Sequence, residues 1–302
     1  MGASGRIIIG SRGSDLALAQ ARLVEQALRA AWPDLEVTTE IIRTSGDEGA
    51  GREVVADRKA GRKGMFTREI EKQLLVRRID LAVHSAKDLP SEPMGDLEIC
   101  AALPRGQTGD VLIAKKNLGL MSLPQGATIA TGSVRRQHQL RWKRPDLTVV
   151  DLRGNVPTRL RKLDDNENWS GIVLARAGLE RLGLKARMED LSKDEFVPAG
   201  GQGVIALQIR CNDERLERLT RAISDEPTML CLRAEREFLR LLEGDCDSPV
   251  GVHATRTNEK LRLQAQVFGE GTLAARTGVV TGNFAQPEEL ATELMEKLYG
   301  TR

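Results

Sequence analysis

The sequence predicts an α/β protein of more than one domain, in which a first α/β lobe is interrupted by a second and a small α+β domain closes the chain. Three observations predict this. Short apolar runs alternate with stretches of helical period, the pattern of strand–helix units. Two turn-rich breaks, Arg105-Gly106-Gln107-Thr108-Gly109 and Pro198-Ala199-Gly200-Gly201-Gln202-Gly203, bracket the middle of the chain as two crossings would. Beyond these, the pattern changes to helix, three strands and helix. The expected boundaries are residues 1–104 with 203–222 for domain 1, 105–202 for domain 2 and 223–302 for domain 3. A chain of 302 residues is long enough to give each its own core.

Taken in order, residues 6–10 read as a buried strand around Ile7-Ile8-Ile9, and residues 15–31 as a helix with apolar positions three and four apart. Residues 36–42 form a second strand. The stretch 44–63 is polar, charged and glycine-rich without a period. At about 20 residues it exceeds an ordinary connection and reads as a mobile or functional loop. Helical period returns over 66–76 and strand character over 79–83, 97–103 and 111–114. Strand–helix units then run from 128 to about 191, followed by a strand over 204–210 and a helix over 226–242. Strands over 253–257, 261–268 and 273–281 precede a closing helix over 287–299. No internal repeat of 20–50 residues is visible.

Composition narrows the function. With 40% hydrophobic and 29% charged residues the chain has the make-up of an ordinary soluble globular protein. Its 45 basic and 43 acidic side chains leave a net charge of +2, which says little about partners. Five Phe, three Trp and one Tyr are too few for a base-stacking platform, so no nucleic-acid partner is expected. No apolar run approaches the roughly 18 residues that span a bilayer, so no membrane partner is expected either. Met1 leads into Ile7 without a secretory apolar region, and Cys100, Cys211, Cys231 and Cys246 show no metal-type pairing. A reduced, cytoplasmic compartment and no metal are the expectation.

Three strand-to-helix loops share one design: Ser11-Arg12-Gly13-Ser14, Thr131-Gly132-Ser133-Val134-Arg135-Arg136, and Arg153-Gly154-Asn155-Val156-Pro157-Thr158-Arg159. In each, Ser, Asn or Gly supplies the cap, and first-turn N–H groups point outward. Arginine at that end opposes the helix dipole, at about 0.3–1 kcal/mol each. Single instances read as solvated charges. Repetition in three units points to an anion that offsets them, with guanidinium and backbone N–H both bonding a carboxylate or phosphate. No Gly-x-x-x-x-Gly-Lys pattern is present, so several small anionic groups fit better than one triphosphate.

Asp88 follows the strand over 79–83 through His84-Ser85-Ala86-Lys87-Asp88-Leu89-Pro90. Ligand sites in open α/β sheets lie beyond the carboxyl ends of strands. A carboxylate there can deliver a proton to a leaving amine and steady a cation beside it, or it can simply cap a turn. His84 reads as a hydrogen-bonded core histidine. Cys246 lies in Gly244-Asp245-Cys246-Asp247-Ser248-Pro249, after a long amphipathic helix. Asp245 and Asp247 disfavour its thiolate, which argues against a hydrolytic nucleophile but not against a permanent covalent tether.

Taken together, these segments resemble the porphobilinogen deaminase (hydroxymethylbilane synthase) family over nearly the whole chain. The resemblance rests on residues 11–20, 61–70 (Gly61-Arg62-Lys63-Gly64-Met65-Phe66-Thr67-Arg68-Glu69-Ile70) and 84–90. It continues in 132–137, 152–160, 177–182, 198–203 and Ala234-Glu235-Arg236. It implies two lobes like those of periplasmic binding proteins with two crossings, plus a cofactor-bearing third domain. It also implies a transferase of tetrapyrrole (haem) biosynthesis that deaminates four porphobilinogen molecules and joins them head to tail into hydroxymethylbilane.

By the same resemblance the primer is a dipyrromethane held by thioether to Cys246, and Asp88 is the catalytic carboxylate. Ser85, Lys87, Thr131, Gly132, Ser133, Arg135, Arg136 and Gly203 would hold the cofactor. Arg12, Gln20, Phe66, Arg153, Arg159, Arg181 and Gln202 would bind substrate, with porphobilinogen as the small-molecule partner of a monomer. Each added ring brings two carboxylates, which accounts for the many guanidiniums. Stretch 44–63 would be a lid that shifts as the product lengthens. Three departures stand out: the family's cofactor loop usually lacks the acids seen at Asp245 and Asp247, Gln208 replaces a frequent Glu, and Gly132 a frequent Ser. The alternative is a non-catalytic two-lobed carboxylate-binding protein, which would need neither Asp88 nor Cys246.

Overall fold

Strand and helix alternate through the computed structural model, which describes residues 5–44, 64–92, 94–242, 249–269 and 274–300. In chain order come β1 (Gly5–Ser11), α1 (Asp15–Ala31), β2 (Leu35–Ile41), α2 (Gly64–Leu75), β3 (Leu81–Ser85), β4 (Leu97–Ala102), β5 (Asp110–Ala114), β6 (Thr128–Ala130) and α3 (Val134–Lys143). Then follow β7 (Thr148–Val150), α4 (Val156–Asp165), β8 (Gly171–Ala175), α5 (Arg176–Arg181), β9 (Glu189–Asp190), β10 (Ile205–Arg210) and α6 (Glu214–Arg221). The chain closes with α7 (Glu226–Leu241), β11 (Val250–Thr257), β12 (Lys260–Phe268), β13 (Ala275–Asn283) and α8 (Pro287–Tyr299). The loop expected over 44–63 lies outside the described residues except for Thr44, and Cys246 lies outside them altogether.

The chain divides into two compact units, Met1–Gly106 with Val204–Leu232, and Gln107–Gly203 with Arg233–Arg302. In the first, the sheet order is β2-β1-β3-β10-β4, parallel from β2 to β3 and antiparallel on both sides of β10. Both faces are covered. Val24 and Leu28 of α1 and Leu216 and Leu219 of α6 pack with Ile7, Ile9 and Leu207 on one side. Ile70 and Leu74 of α2 pack with Ile79 and Ala82 on the other. Burial on both faces explains why β1 and β3 are short continuous apolar runs, whereas the edge strand β2 alternates.

The second unit repeats the arrangement as β7-β6-β8-β5-β9, with β5 antiparallel to both neighbours. Leu140 of α3 packs on one face with Ile129 and Val173, and Leu163 of α4 and Leu179 of α5 pack on the other with Val111 and Ile172. Its remaining part is the antiparallel sheet β11-β12-β13, against which α8 packs through Leu290 and Leu294. The chain is thus α/β with two five-stranded mixed sheets and a small α+β portion.

Three details differ from expectation. Strand β3 begins two residues later than 79, because the end of α2 is still unwinding there: Arg77 takes φ 59°, and the N–H groups of Arg78 and Ile79 both donate to Gln73 O. Helix α6 was not anticipated, since in eight residues it buries only Leu216, Leu219 and Thr220. Strand β11 starts at Val250 rather than 253. Gly251 permits this: a Cβ there would lie 2.3 Å from the Val197 carbonyl oxygen, so only glycine lets the two backbones meet.

Candidate active site

The carboxyl end of β3 carries the chemistry of the first unit. Its register against β10, pairing His84 with Ala206 and Ser85 with Ile205, fixes both residues at the carboxyl end of this central strand. The chain then makes a single 3-10 turn over Ala86–Asp88, closed by the Leu89 N–H donating to Ala86 O. Ala86 and Leu89 are buried, which anchors the turn and leaves Lys87 and Asp88 half-buried. Arg12, Gln20, Thr67, His84, Ser85 and Asp88 line one pocket here. Among the described residues no hydrogen bond or ion pair engages the Asp88 side chain.

The neighbours of Asp88 are held firmly. Gln20 is 2% exposed and its Nε2 donates to Ser85 Oγ at 2.8 Å. Gln208 Nε2 donates to Glu71 Oε1 at 3.1 Å, so its Oε1 is left to accept from His84 Nε2, also at 3.1 Å. That chain assigns the proton of neutral His84 to Nε2. Burial pushes the His84 pKa down to about 4; the bond to Gln208 opposes the shift and the Arg12 charge adds to it. His84 is therefore neutral near pH 7 and is the satisfied core histidine its sequence context suggested. Gln208 is the link in this chain.

The second unit holds the other arginines, and here the anion that offsets the helix dipole is the protein's own. Ser133 caps α3, its Oγ accepting from the Arg136 N–H at 3.5 Å, and Asn155 caps α4 by accepting from the Thr158 N–H at 2.9 Å. Arg135 and Arg136 do not point to solvent. Arg135 Nη1 lies 2.8 Å from Asp110 Oδ2 and Arg136 Nη2 2.7 Å from Oδ1, with all three residues buried. Burial alone would push the Asp110 carboxyl up; the two guanidiniums outweigh it and hold it below the usual carboxylate range. Gln202 joins them, its Nε2 donating to Asp110 Oδ1 at 2.8 Å and to Thr108 O at 2.6 Å. Among the described residues, two guanidiniums against one carboxylate leave this cluster one positive charge in excess, and Nε of both arginines lacks a partner.

The remaining expected residues are placed as follows. Thr131 is buried, and its Oγ1 accepts from the Ser133 N–H at 3.4 Å. Gly132 packs so tightly that a Cβ would stand 2.4 Å from Leu152 O, which explains why serine is absent here. Arg153 pairs with Asp151 at 2.7 Å on the surface, Arg159 Nε donates to Gly154 O at 2.7 Å, and Arg181 Nη2 donates to Gly203 O at 2.6 Å. Phe66 lies in α2, its side chain outside the described atoms. The structure thus gathers Arg12, Gln20, Ser85 and Asp88 at one pocket and Arg135, Arg136 and Gln202 around one buried acid. Sequence reasoning passed over Asp110 and Glu71, and it gave Thr67 no role beyond its place in the 61–70 motif. Glu235, 0% exposed, was noted only within a motif; it accepts from the N–H groups of Gly201 and Ala254, both at 2.7 Å, and ties the 198–203 turn to β11.

Among the described residues no helix is long and apolar enough to cross a membrane. Comparison with known proteins is consistent from end to end. The family model "Porphobilinogen deaminase, dipyromethane cofactor binding domain" matches residues 7–218, and "Porphobilinogen deaminase, C-terminal domain" matches 229–300. The porphobilinogen deaminase of Roseiflexus sp. (strain RS-1) is 43% identical over 296 residues, covering 97% of this chain and 95% of that protein. That of Moorella thermoacetica is 43% identical over 293 residues, covering 97% and 92%. That of Chlorobium chlorochromatii is 40% identical, covering 97% and 95%. Among solved structures, the alkanesulfonate-binding protein SsuA of Xanthomonas axonopodis pv. citri aligns over 80% of this chain and 76% of its own at 14% identity, with a TM-score of only 0.37. With two family models and full-length relatives in agreement, the chain belongs to the porphobilinogen deaminase family.

Proposed function

We propose that this protein is a hydroxymethylbilane-forming transferase of tetrapyrrole (haem) biosynthesis that deaminates four porphobilinogen molecules and joins them head to tail. Each cycle breaks an aminomethyl C–N bond, releases ammonia and forms a C–C bond between pyrroles. The observation that carries the reading is the placement of Asp88: a carboxyl group free of described protein partners, in a pocket that also presents the Arg12 guanidinium. That pairing suits a substrate with an amine at one end and carboxylates at the other.

Asp88 would hand a proton to the departing nitrogen and, once ionised, steady the positive charge left on the substrate carbon. Neutral His84 cannot serve as the acid near pH 7, and its bond to Gln208 makes it a fixed wall of the pocket. The donor set also fits a dipyrromethane, whose four carboxylates suit guanidiniums; the unpartnered Nε atoms of Arg135 and Arg136 and their excess positive charge are the structural observation behind that fit. We assign its attachment to Cys246 and its contacts to Ser85, Lys87, Thr131, Gly132, Ser133, Arg135, Arg136 and Gly203. When bound, it supplies the pyrrole end to which the first substrate is joined. Arg12, Gln20, Phe66, Arg153, Arg159, Arg181 and Gln202 are assigned to substrate carboxylates and rings. Residues 223–302 would form the cofactor-bearing domain of a cytoplasmic monomer.

The test is turnover. Purified protein given porphobilinogen should release ammonia and one hydroxymethylbilane for every four substrates consumed. Binding of porphobilinogen without ammonia release would instead establish the non-catalytic carboxylate binder.

A further inference from the structure

Among the described residues the pocket at the end of β3 has three lining hydroxyls, and two of them are spoken for. Ser14 Oγ accepts from the Ala17 N–H at 3.3 Å and so caps α1, and Ser85 Oγ is bonded to Gln20. The third, Thr67 of α2, is 1% exposed, and among the described residues its Oγ1 has no hydrogen-bond partner. Glu71 lies one turn further along the same helix face, but its carboxylate is turned to Gln208. A buried hydroxyl without a partner carries its full desolvation cost. Valine has nearly the same shape, would fill the position without that penalty, and loses nothing in helix propensity. Packing alone therefore gives no reason for threonine at position 67.

We propose that the Thr67 hydroxyl is a substrate-binding group that donates a hydrogen bond to a carboxylate substituent of the pyrrole occupying this pocket. The division of labour follows from the lining. Asp88 suits the amine, Arg12 suits a carboxylate by charge, and Thr67 supplies a short neutral donor from a fixed helix. A hydroxyl on a β-branched side chain has few rotamers, so it selects by direction where a flexible guanidinium selects by charge. This inference rests on the turnover proposed above and adds a specificity-determining contact to it.

The experiment compares wild type with Thr67→Val and Thr67→Ser. Thr67→Val should melt at the wild-type temperature or above, because no protein hydrogen bond is lost. Its KM for porphobilinogen should rise about tenfold, equivalent to about 1.4 kcal/mol, with kcat held within about twofold. Thr67→Ser should restore KM. Porphobilinogen analogues with either the acetate or the propionate carboxylate replaced by methyl then serve as competitive inhibitors. The Thr67→Val penalty should vanish for the analogue that lacks the contacted group and persist for the other. An unchanged KM in a folded Thr67→Val protein overturns the proposal, as does a penalty that persists with both analogues. A lowered melting temperature in Thr67→Val would assign the hydroxyl to the fold and overturn it too. Wild-type protein that leaves porphobilinogen intact overturns both this inference and the function beneath it, whereas normal wild-type turnover with an indifferent Thr67→Val removes the inference alone.

Discussion

Asp88 and His84 stand four residues apart at one strand end, yet burial gives them opposite duties. The half-buried Asp88 faces the pocket without a described partner, while His84 is sealed in and bonded to Gln208. Replacing Asp88 by Asn would remove the proposed proton carrier and little else. The variant should fold as wild type and lose about 10²–10⁴-fold in turnover, measured as ammonia release. His84 sets a pH dependence of stability instead. Its pKa is about 4 when folded against 6.5 for the free side chain, so between those values the unfolded chain binds more protons and stability rises with pH. His84 should thus contribute about 3 kcal/mol that is present above pH 6.5, is lost on acidification toward pH 4, and changes little below that. Thermal melts from pH 7 to 4 test this; a His84→Gln variant should lack that part of the acid slope. The strand-exit position of Asp88 was legible in the sequence because a strand followed by a short polar segment is a local pattern. The counterion of Arg135 and Arg136 was not, because Asp110 lies 25 and 26 residues away and only the sheet brings them together.

Elements were legible where local signals agreed. Helix α1 has its expected limits because the Ser14 cap and the apolar spacing both mark them. Strand β3 and helix α6 departed from expectation where tertiary packing decided: the unwinding end of α2 delayed the one, and the sheet face around Trp32 and Leu207 gave the other's two leucines somewhere to bury. Helix α3 is the sharpest case. Its sequence, Val134-Arg135-Arg136-Gln137-His138-Gln139-Leu140, reads as polar, yet Arg135, Arg136, Gln139 and Leu140 are all buried. Asp110, at the start of β5, makes that possible by accepting from both guanidiniums. Asp110→Asn would strand two buried cations and should destabilise the protein by about 3–5 kcal/mol, read as a lower denaturant midpoint with an unchanged slope. A midpoint near wild type would show that the cluster does not hold α3 to the sheet.

At the scale of the whole molecule, each unit is built on the same five-strand order, with β10 and β5 as the antiparallel strands that directly follow the two chain breaks. The turns at 105–109 and 198–203 announced those breaks, since glycine and proline leave a local mark. The likeness of the two sheets left none: it is a repeat of topology, and each sheet's residues recur only as short apolar runs. The family assignment and the proposed chemistry meet at a single sulfur. The purified protein's intact mass tests that meeting point most directly. A mass exceeding the polypeptide by one dipyrromethane, and lost in Cys246→Ser, is the predicted result; a bare polypeptide that still turns over porphobilinogen would contradict it.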